Sequence, residues 1–245
     1  MRTPTNQDFS RTQERLDGGD RPVFGPEIGE FTDTEQRLAA AEGEDKEMKT
    51  GTTTVGISTE NGVVMATDMR ASAGRMVSSK DVQKVEKIHP NAALTIAGSV
   101  SAAQSLIRSL RSETSLYETR RGKDMSMEAL STLTSNFLRS GAFFIVSPLL
   151  GGVDEDGAHV YSLDPLGGMM EEDYAVSGSG SQYALGVLEQ EYDADLSVDE
   201  AKSVAAHAIQ SAVERDLASG NGINLAVVTD EGVEITKHKD FEALL

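Results

Sequence analysis

The apolar residues of this chain follow two different periods, and the order of those periods predicts its elements. Alternating or continuous apolar positions predict strands at 53–58, 63–67, 93–99, 143–153, 159–163, 223–229 and 233–237. The first two runs are separated by Glu60-Asn61-Gly62, and Asn-Gly between two such runs is typical of a β-hairpin turn.

Helical spacing appears in four other segments. Leu106, Ile107, Leu110 and Tyr117 form one stripe of a helix predicted over 102–120. A second helix is predicted from an N-cap at Ser126 to near Gly141, and a third over 182–191. The fourth begins at Ser197, because Ser197-Val198-Asp199-Glu200 is a capping box.

Strands, two helices, strands, two helices and strands do not make the alternating rhythm of a parallel sheet. Helix pairs that are separate from antiparallel strands predict sheets packed face to face, with helices on both outer faces. We therefore expect an α+β fold, a four-layer αββα sandwich of two antiparallel sheets flanked by helices.

The amino-terminal stretch differs from the rest of the chain in composition and in its pattern of apolar residues. Residues 1–51 mix Gly, Pro, Glu, Asp, Arg and Thr with almost no periodic apolar pattern, so they cannot bury enough surface to offset chain entropy. We predict a disordered leader over 1–51 and a single folded domain over 52–245.

Charge narrows the classes of partner. The 245 residues carry 40 Asp and Glu against 22 Lys and Arg, a net charge of -18, and such a surface repels nucleic acid and anionic lipid. The acidity suits either an acidic face for a basic partner or general solvation in concentrated salt; its dispersal along the chain favours the second. The chain has neither an apolar signal segment nor an apolar run of ~18 residues, which predicts a soluble, cytoplasmic protein without membrane contact.

Several kinds of catalytic site are excluded. The chain has no cysteine, which removes thiol nucleophiles and thiolate metal sites. Its four histidines are scattered, and Gly178-Ser179-Gly180-Ser181-Gln182-Tyr183 has tyrosine where a dinucleotide loop needs its third glycine. No G-x-S-x-G elbow occurs. We therefore predict neither a metal nor a cofactor.

The remaining candidate is a threonine that becomes an N-terminus when the Gly51–Thr52 bond is cut. A free N-terminal threonine carries a nucleophile, Oγ1, and a base, its own α-amine, whose ordinary pKa is ~7.7–8.0. Gly51 suits the tight backbone bend that attack on its carbonyl requires. Taken alone, Thr52-Thr53-Thr54-Val55 could equally reflect β-propensity.

Five short motifs occur together and in register along the folded part. They are Gly51-Thr52-Thr53-Thr54-Val55-Gly56, Thr67-Asp68-Met69-Arg70, Ile96-Ala97-Gly98, Ser177-Gly178-Ser179-Gly180-Ser181 and Arg215-Asp216-x-x-Ser219-Gly220. In this order they resemble the β subunits of archaeal 20S proteasomes, over residues 52–240. The acidic composition also points to an extreme halophile as the source organism. The resemblance implies an N-terminal nucleophile hydrolase fold.

The resemblance also implies a set of site residues. Thr52 would be the nucleophile, flanked by Asp68 and Lys84, and the backbone N–H of Gly98 would donate to the oxyanion. The shell around the α-amine would be completed by three further residues, Ser181, Asp216 and Ser219. By residue type alone Lys80 and Lys87 rival Lys84, and only the family register selects Lys84.

The substrate pocket implied by the resemblance is apolar. It would draw on Ala71, Val82, Ile96 and Val100, which predicts cleavage after hydrophobic residues. Glu86 is close in the same segment and leaves a secondary preference open.

The function implied is that of a threonine endopeptidase. A zymogen would cut itself between Gly51 and Thr52 and then hydrolyse peptide bonds in unfolded proteins. Its partners would be other β subunits in heptameric rings, proteasome α subunits, and a regulatory ATPase bound through the α ring. The alternatives are a catalytically silent structural β-type subunit and a small-molecule amidase, although a silent subunit usually lacks the threonine or its partners.

Overall fold

The structure is a computed structural model that describes residues 51–143 and 145–245. The predicted leader, apart from Gly51, lies outside the described residues. The strands are β1 Thr53–Thr59, β2 Gly62–Asp68, β3 Ala71–Ala73, β4 Met76–Ser79, β5 Val85–His89, β6 Ala92–Thr95, β7 Leu149–Asp154, β8 Gly157–Leu163, β9 Met169–Glu171, β10 Tyr174–Gly178, β11 Ile223–Thr229 and β12 Gly232–His238. The helices are α1 Val100–Arg121, α2 Met127–Arg139, α3 Ser181–Glu191 and α4 Val198–Arg215.

Ten of these strands form two antiparallel sheets of five strands each. The first has the order β10-β1-β2-β11-β12 and the second β5-β6-β7-β8-β9, while β3 and β4 form a separate hairpin. In the first sheet β1 lies between β2 and β10, so that Thr54 pairs with Thr67 on one side and Ser177 on the other. The residues just before β1 and just after β10 therefore lie side by side.

Three buried clusters define the layers. Between the sheets, side chains such as Met65 and Val228 from the first sheet pack with Leu149 and Val160 from the second. The outer face of the second sheet is covered by α1 and α2, and that of the first sheet by α3 and α4. The predicted four-layer αββα sandwich is confirmed. Within the described residues, no helix is long and apolar enough to cross a membrane.

Serine residues are the N-caps of three helices. Ser126 Oγ accepts from Ala129 N, as predicted, and Ser197 and Glu200 form the predicted capping box. The first helix begins earlier than predicted, because Ser99 accepts from Ala102 N and acts as its N-cap. These caps satisfy backbone N–H groups that a helix leaves unpaired at its start.

Two predicted strands are shorter than expected. The strand predicted over 93–99 ends at Thr95, and the one predicted over 143–153 begins only at Leu149. The backbone turns away at Gly98, with φ 109°, and at Ile145, with φ 62°, both outside the strand region. Gly98 still pairs with Val146 in an isolated bridge.

Candidate active site

Thr52 lies immediately before β1, and only 5% of it is exposed. Its peptide bond to Gly51 is intact here, so the site is that of the uncut chain. Thr52 Oγ1 donates to the Gly51 carbonyl oxygen at 2.7 Å, and Gly51 N donates to Ser72 Oγ at 3.1 Å. The hydroxyl thus already lies beside the carbonyl that self-cleavage would attack.

Asp68 ends β2 and is completely buried. Its oxygens accept from three backbone N–H groups, those of Thr53 at 3.0 Å, Arg70 at 2.9 Å and Gly220 at 2.9 Å. Three hydrogen bonds from backbone donors in three separate segments fix the orientation of the carboxylate. The resemblance implies that Asp68 flanks Thr52, and the structure links the two residues through Thr53 N and Lys84 Nζ.

Lys84 connects this carboxylate to the threonine. Its Nζ lies 2.7 Å from Asp68 Oδ1 and 3.1 Å from Thr52 Oγ1. Burial lowers the pKa of Lys84 below the ordinary value for lysine, and the charge of Asp68 opposes this shift without cancelling it. The rivals Lys80 and Lys87 are both exposed. The only one of these three lysines that contacts Thr52 is Lys84.

A second group of hydrogen bonds centres on Asp216, the residue at the end of α4. Its Oδ2 accepts from Ser219 Oγ and from Ser179 Oγ, both at 2.6 Å. Ser219 Oγ lies 2.7 Å from Thr53 Oγ1, and Ser179 Oγ accepts from Thr52 N at 3.2 Å. Asp216 is therefore linked to Thr52 through Ser179, and Ser219 contacts the next residue, Thr53.

The prediction for Ser181 needs correction. Ser181 is the first residue of α3, and its side chain makes no hydrogen bond to another described residue. Ser179 occupies the place assigned to it, because β10 pairs with β1 through Gly178 and Thr53, which sets the residue after Gly178 beside Thr52. The register of β10 would have identified Ser179, but that strand was not predicted.

Gly98 lines the same cleft as Thr52. Its N–H has no hydrogen-bond partner among residues 51–143 and 145–245, since the bridge to Val146 uses the N–H groups of Ser99 and Ser147 instead. A side chain at this position would collide with the carbonyl oxygen of Ile145. The site therefore offers one free backbone donor near Thr52.

The cleft in front of Thr52 has a volume of about 400 Å³. All four residues of the predicted pocket line it: Ala71, Val82, Ile96 and Val100. Glu86 lies there too, but its Oε2 is paired with Arg111 Nη2 at 3.0 Å. Arg108 adds another cation to the lining. The lining thus combines apolar side chains with charged ones.

One cluster away from the cleft has the side chains of a metal site. Potential ligand atoms of His89, Glu118 and Asp124 lie within 4.8 Å of one another. However, Asn91 N donates to His89 Nδ1, which puts the proton of the neutral ring on Nε2, the atom 2.8 Å from Glu118. A protonated nitrogen cannot ligate a metal, so the ring would first have to change tautomer.

Comparison with known proteins gives a consistent result. The family model described as "Proteasome subunit" matches residues 48–228. The chain is 74% identical to "Proteasome subunit beta" of Halorubrum lacusprofundi over 245 residues, covering 100% of both chains. It is 68% identical to the protein of that name from Haloferax volcanii and 56% identical to the one from Halobacterium salinarum, again over 100% of both chains.

Proposed function

The chain belongs to the proteasome subunit family and is a β subunit of it, and we propose that it is a threonine endopeptidase whose nucleophile is Thr52 Oγ1. One observation carries this proposal: a lysine with a lowered pKa has its Nζ 3.1 Å from that hydroxyl, within a buried cluster held by Asp68. Such an arrangement costs desolvation and is typical of a site that moves protons.

Self-cleavage comes first. In the uncut chain Thr52 N is an amide and cannot accept a proton, so Lys84 Nζ is the nearest base. As Oγ1 attacks the Gly51 carbonyl carbon, its proton moves to Lys84 and then to Thr52 N while the C–N bond breaks. This N→O acyl shift frees the α-amine of Thr52. Water then hydrolyses the resulting ester, which releases residues 1–51 with a carboxyl group at Gly51 and restores the Thr52 hydroxyl.

The freed amine then serves as the base for substrates. In the uncut chain this nitrogen already lies 3.2 Å from Ser179 Oγ, which is itself bound to Asp216. The amine takes the Oγ1 proton during attack and returns it to the leaving nitrogen of the substrate, and water then hydrolyses the ester left on Oγ1, which releases the acyl product and restores the hydroxyl. The free N–H of Gly98 supplies a donor for the oxyanion that forms meanwhile.

The cleft favours hydrophobic side chains on the acyl side of the cut bond. Four apolar side chains line it, and the carboxylate of Glu86 is paired with Arg111. Unfolded proteins are the expected substrates. By family membership the chain assembles into rings with other subunits, and we infer α subunits, further β subunits and a cytoplasmic regulatory ATPase as partners.

A silent structural subunit is the competing hypothesis. Nothing in a silent subunit would require a buried lysine beside a buried threonine. The close contacts of Asp68, Lys84 and Thr52 therefore favour an active site instead.

Intact-mass measurement on particles co-assembled with an α subunit tests the proposal. Mature wild-type chains should begin at Thr52, whereas Thr52→Ala chains should retain residues 1–51 and show no peptide hydrolysis. A Thr52→Ser variant, which keeps a hydroxyl, should still be cut. Active wild-type particles with a different N-terminus would refute the assignment of Thr52.

A further inference from the structure

We propose that Ser72 is a positioning residue for the cleavage after Gly51, a role that it has only in the uncut chain. The observation is its hydrogen bond: Ser72 Oγ accepts from Gly51 N at 3.1 Å, and both residues are buried. The inference rests on the proposed self-cleavage, since it concerns how that step is oriented.

Gly51 is held on both sides of the carbonyl that is attacked. Its N–H is bound by Ser72, and its carbonyl oxygen accepts from Thr52 Oγ1 at 2.7 Å. A Cβ on residue 51 would collide with the side chain of Ala218, so the backbone lies tight against this neighbour. These three contacts restrict rotation of the Gly51 backbone next to the scissile bond.

A glycine needs such contacts more than other residues do. It has no side chain to place in the apolar cleft, and its backbone torsions are the least restricted of any residue. An ordinary substrate is oriented by the side chain that enters the cleft, whereas Gly51 depends on its main-chain bonds. We therefore expect Ser72 to matter for the leader and much less for substrates.

Ser72 has no other hydrogen-bonding task within residues 51–143 and 145–245. Its Oγ is bound to Gly51 N alone, and its backbone pairs with Val77 in the β3–β4 hairpin. Ser78, across the same hairpin, provides a matched control, because its Oγ donates to the carbonyl of Ala71 and does not touch Gly51. Both serines line the cleft.

The test follows leader removal in full-length chains assembled with an α subunit. Intact mass, sampled over time, gives the rate at which residues 1–51 are lost. Ser72→Ala should slow this rate by about 5- to 50-fold, since a small misplacement of reacting atoms costs up to about 10²-fold. Ser78→Ala should process at nearly the wild-type rate.

A structural role for Ser72 would give a different result. Once slow processing has gone to completion, the loss of peptide hydrolysis per free Thr52 terminus in Ser72→Ala particles should be several-fold smaller than the loss of processing rate, because a substrate is also oriented by its own side chain in the cleft. An equal loss in processing and in hydrolysis would overturn the proposal. If Ser72→Ala does not assemble, Ser72→Cys replaces it, because sulfur is a weak acceptor of nearly the same shape.

Thr52→Ala, run in parallel, separates the two hypotheses. If those chains still lose residues 1–51 at the same bond, the proposed self-cleavage is wrong. If they stay intact while Ser72→Ala and Ser72→Cys process at the wild-type rate, only the role of Ser72 is refuted.

Discussion

Two ionic clusters in this protein combine carboxylates with one cationic side chain, yet their surroundings differ. Beside Thr52, the side chains of Lys84 and Asp68 are only 5% and 0% exposed. On the second sheet, His159 contacts Asp154 and Glu171 at a site where 53% of the Glu171 side chain meets solvent. The first cluster lies between segments of the site, and the second joins strands at the surface.

Burial decides how each cation titrates. At Lys84 the loss of hydration outweighs the attraction of Asp68, and the pKa is lowered. At His159 burial also lowers the pKa, but the hydrogen bonds and charges of Glu171 and Asp154 outweigh it and the net shift is upward. Lowering the pKa of a lysine makes its neutral form more accessible, whereas raising the pKa of a histidine favours the charged ring that its carboxylate partners bind. The proposed chemistry therefore belongs to the first cluster, and a stabilising role is expected for the second.

Replacing the cationic residue of each cluster should give the largest difference in peptide hydrolysis between the two. Lys84→Ala should lower peptide hydrolysis by at least about 100-fold, because Lys84 is the proposed base of the self-cleavage that frees the Thr52 amine, and general acid–base groups contribute ~10²–10⁴-fold. His159→Gln should leave hydrolysis at the wild-type level. Initial rates on a peptide with a hydrophobic residue before the cut bond measure both.

Alanine variants of Lys80 and Lys87 serve as controls for Lys84→Ala. Lys80→Ala and Lys87→Ala change exposed residues and should keep most of the activity. Particle mass should show that Lys84→Ala still assembles, because three backbone N–H groups continue to bind Asp68. Similar losses from all three alanine variants would contradict the role of Lys84.

Two serines near the start of α3 provide the next largest contrast. Ser179→Ala removes the only side-chain partner of Thr52 N among the described residues and should lower hydrolysis by about 10-fold, the scale of one hydrogen bond to a charged group. Ser181→Ala should have almost no effect. Steady-state kinetics on mature particles decide the matter, and a larger loss from Ser181→Ala would restore the original prediction for that residue.

The layers of the fold could be predicted from sequence because long elements repeat their period many times. β1, β2, β11 and the helices α1 and α4 each carry such a pattern, and Ser197 with Glu200 marks a helix start directly. Short elements carry too few repeats. β3 has three residues and β10 has five, and neither was predicted.

The same limit explains which site residues were found. Asp68 ends a long, readable strand, so its place near Thr52 followed from the family motif and the hairpin. Ser179 and Ser72 depend on β10 and β3, whose pairing brings distant segments together. The lowered pKa of Lys84 depends on burial, which a segment rich in exposed polar residues does not reveal.

The smallest expected effect concerns the pH dependence of stability at the surface cluster. Both ring nitrogens of His159 face carboxylate oxygens, Nδ1 at 2.6 Å from Glu171 and Nε2 at 3.1 Å from Asp154, an arrangement that suits the doubly protonated ring. Because the folded-state pKa of His159 is raised, its contribution is fully present below the unfolded-state value near ~6.5 and is lost as pH rises through the folded value. The contribution should be at most about 1 kcal/mol, since Glu171 is half exposed.

Thermal unfolding of wild-type and His159→Gln particles at pH ~6 and pH ~9 measures this contribution: the variant should be less stable at the lower pH and nearly equal at the higher one. A stability difference that grows as pH rises would show that His159 stabilises the strands through its neutral ring, and the contrast with Lys84 would then rest on catalysis alone.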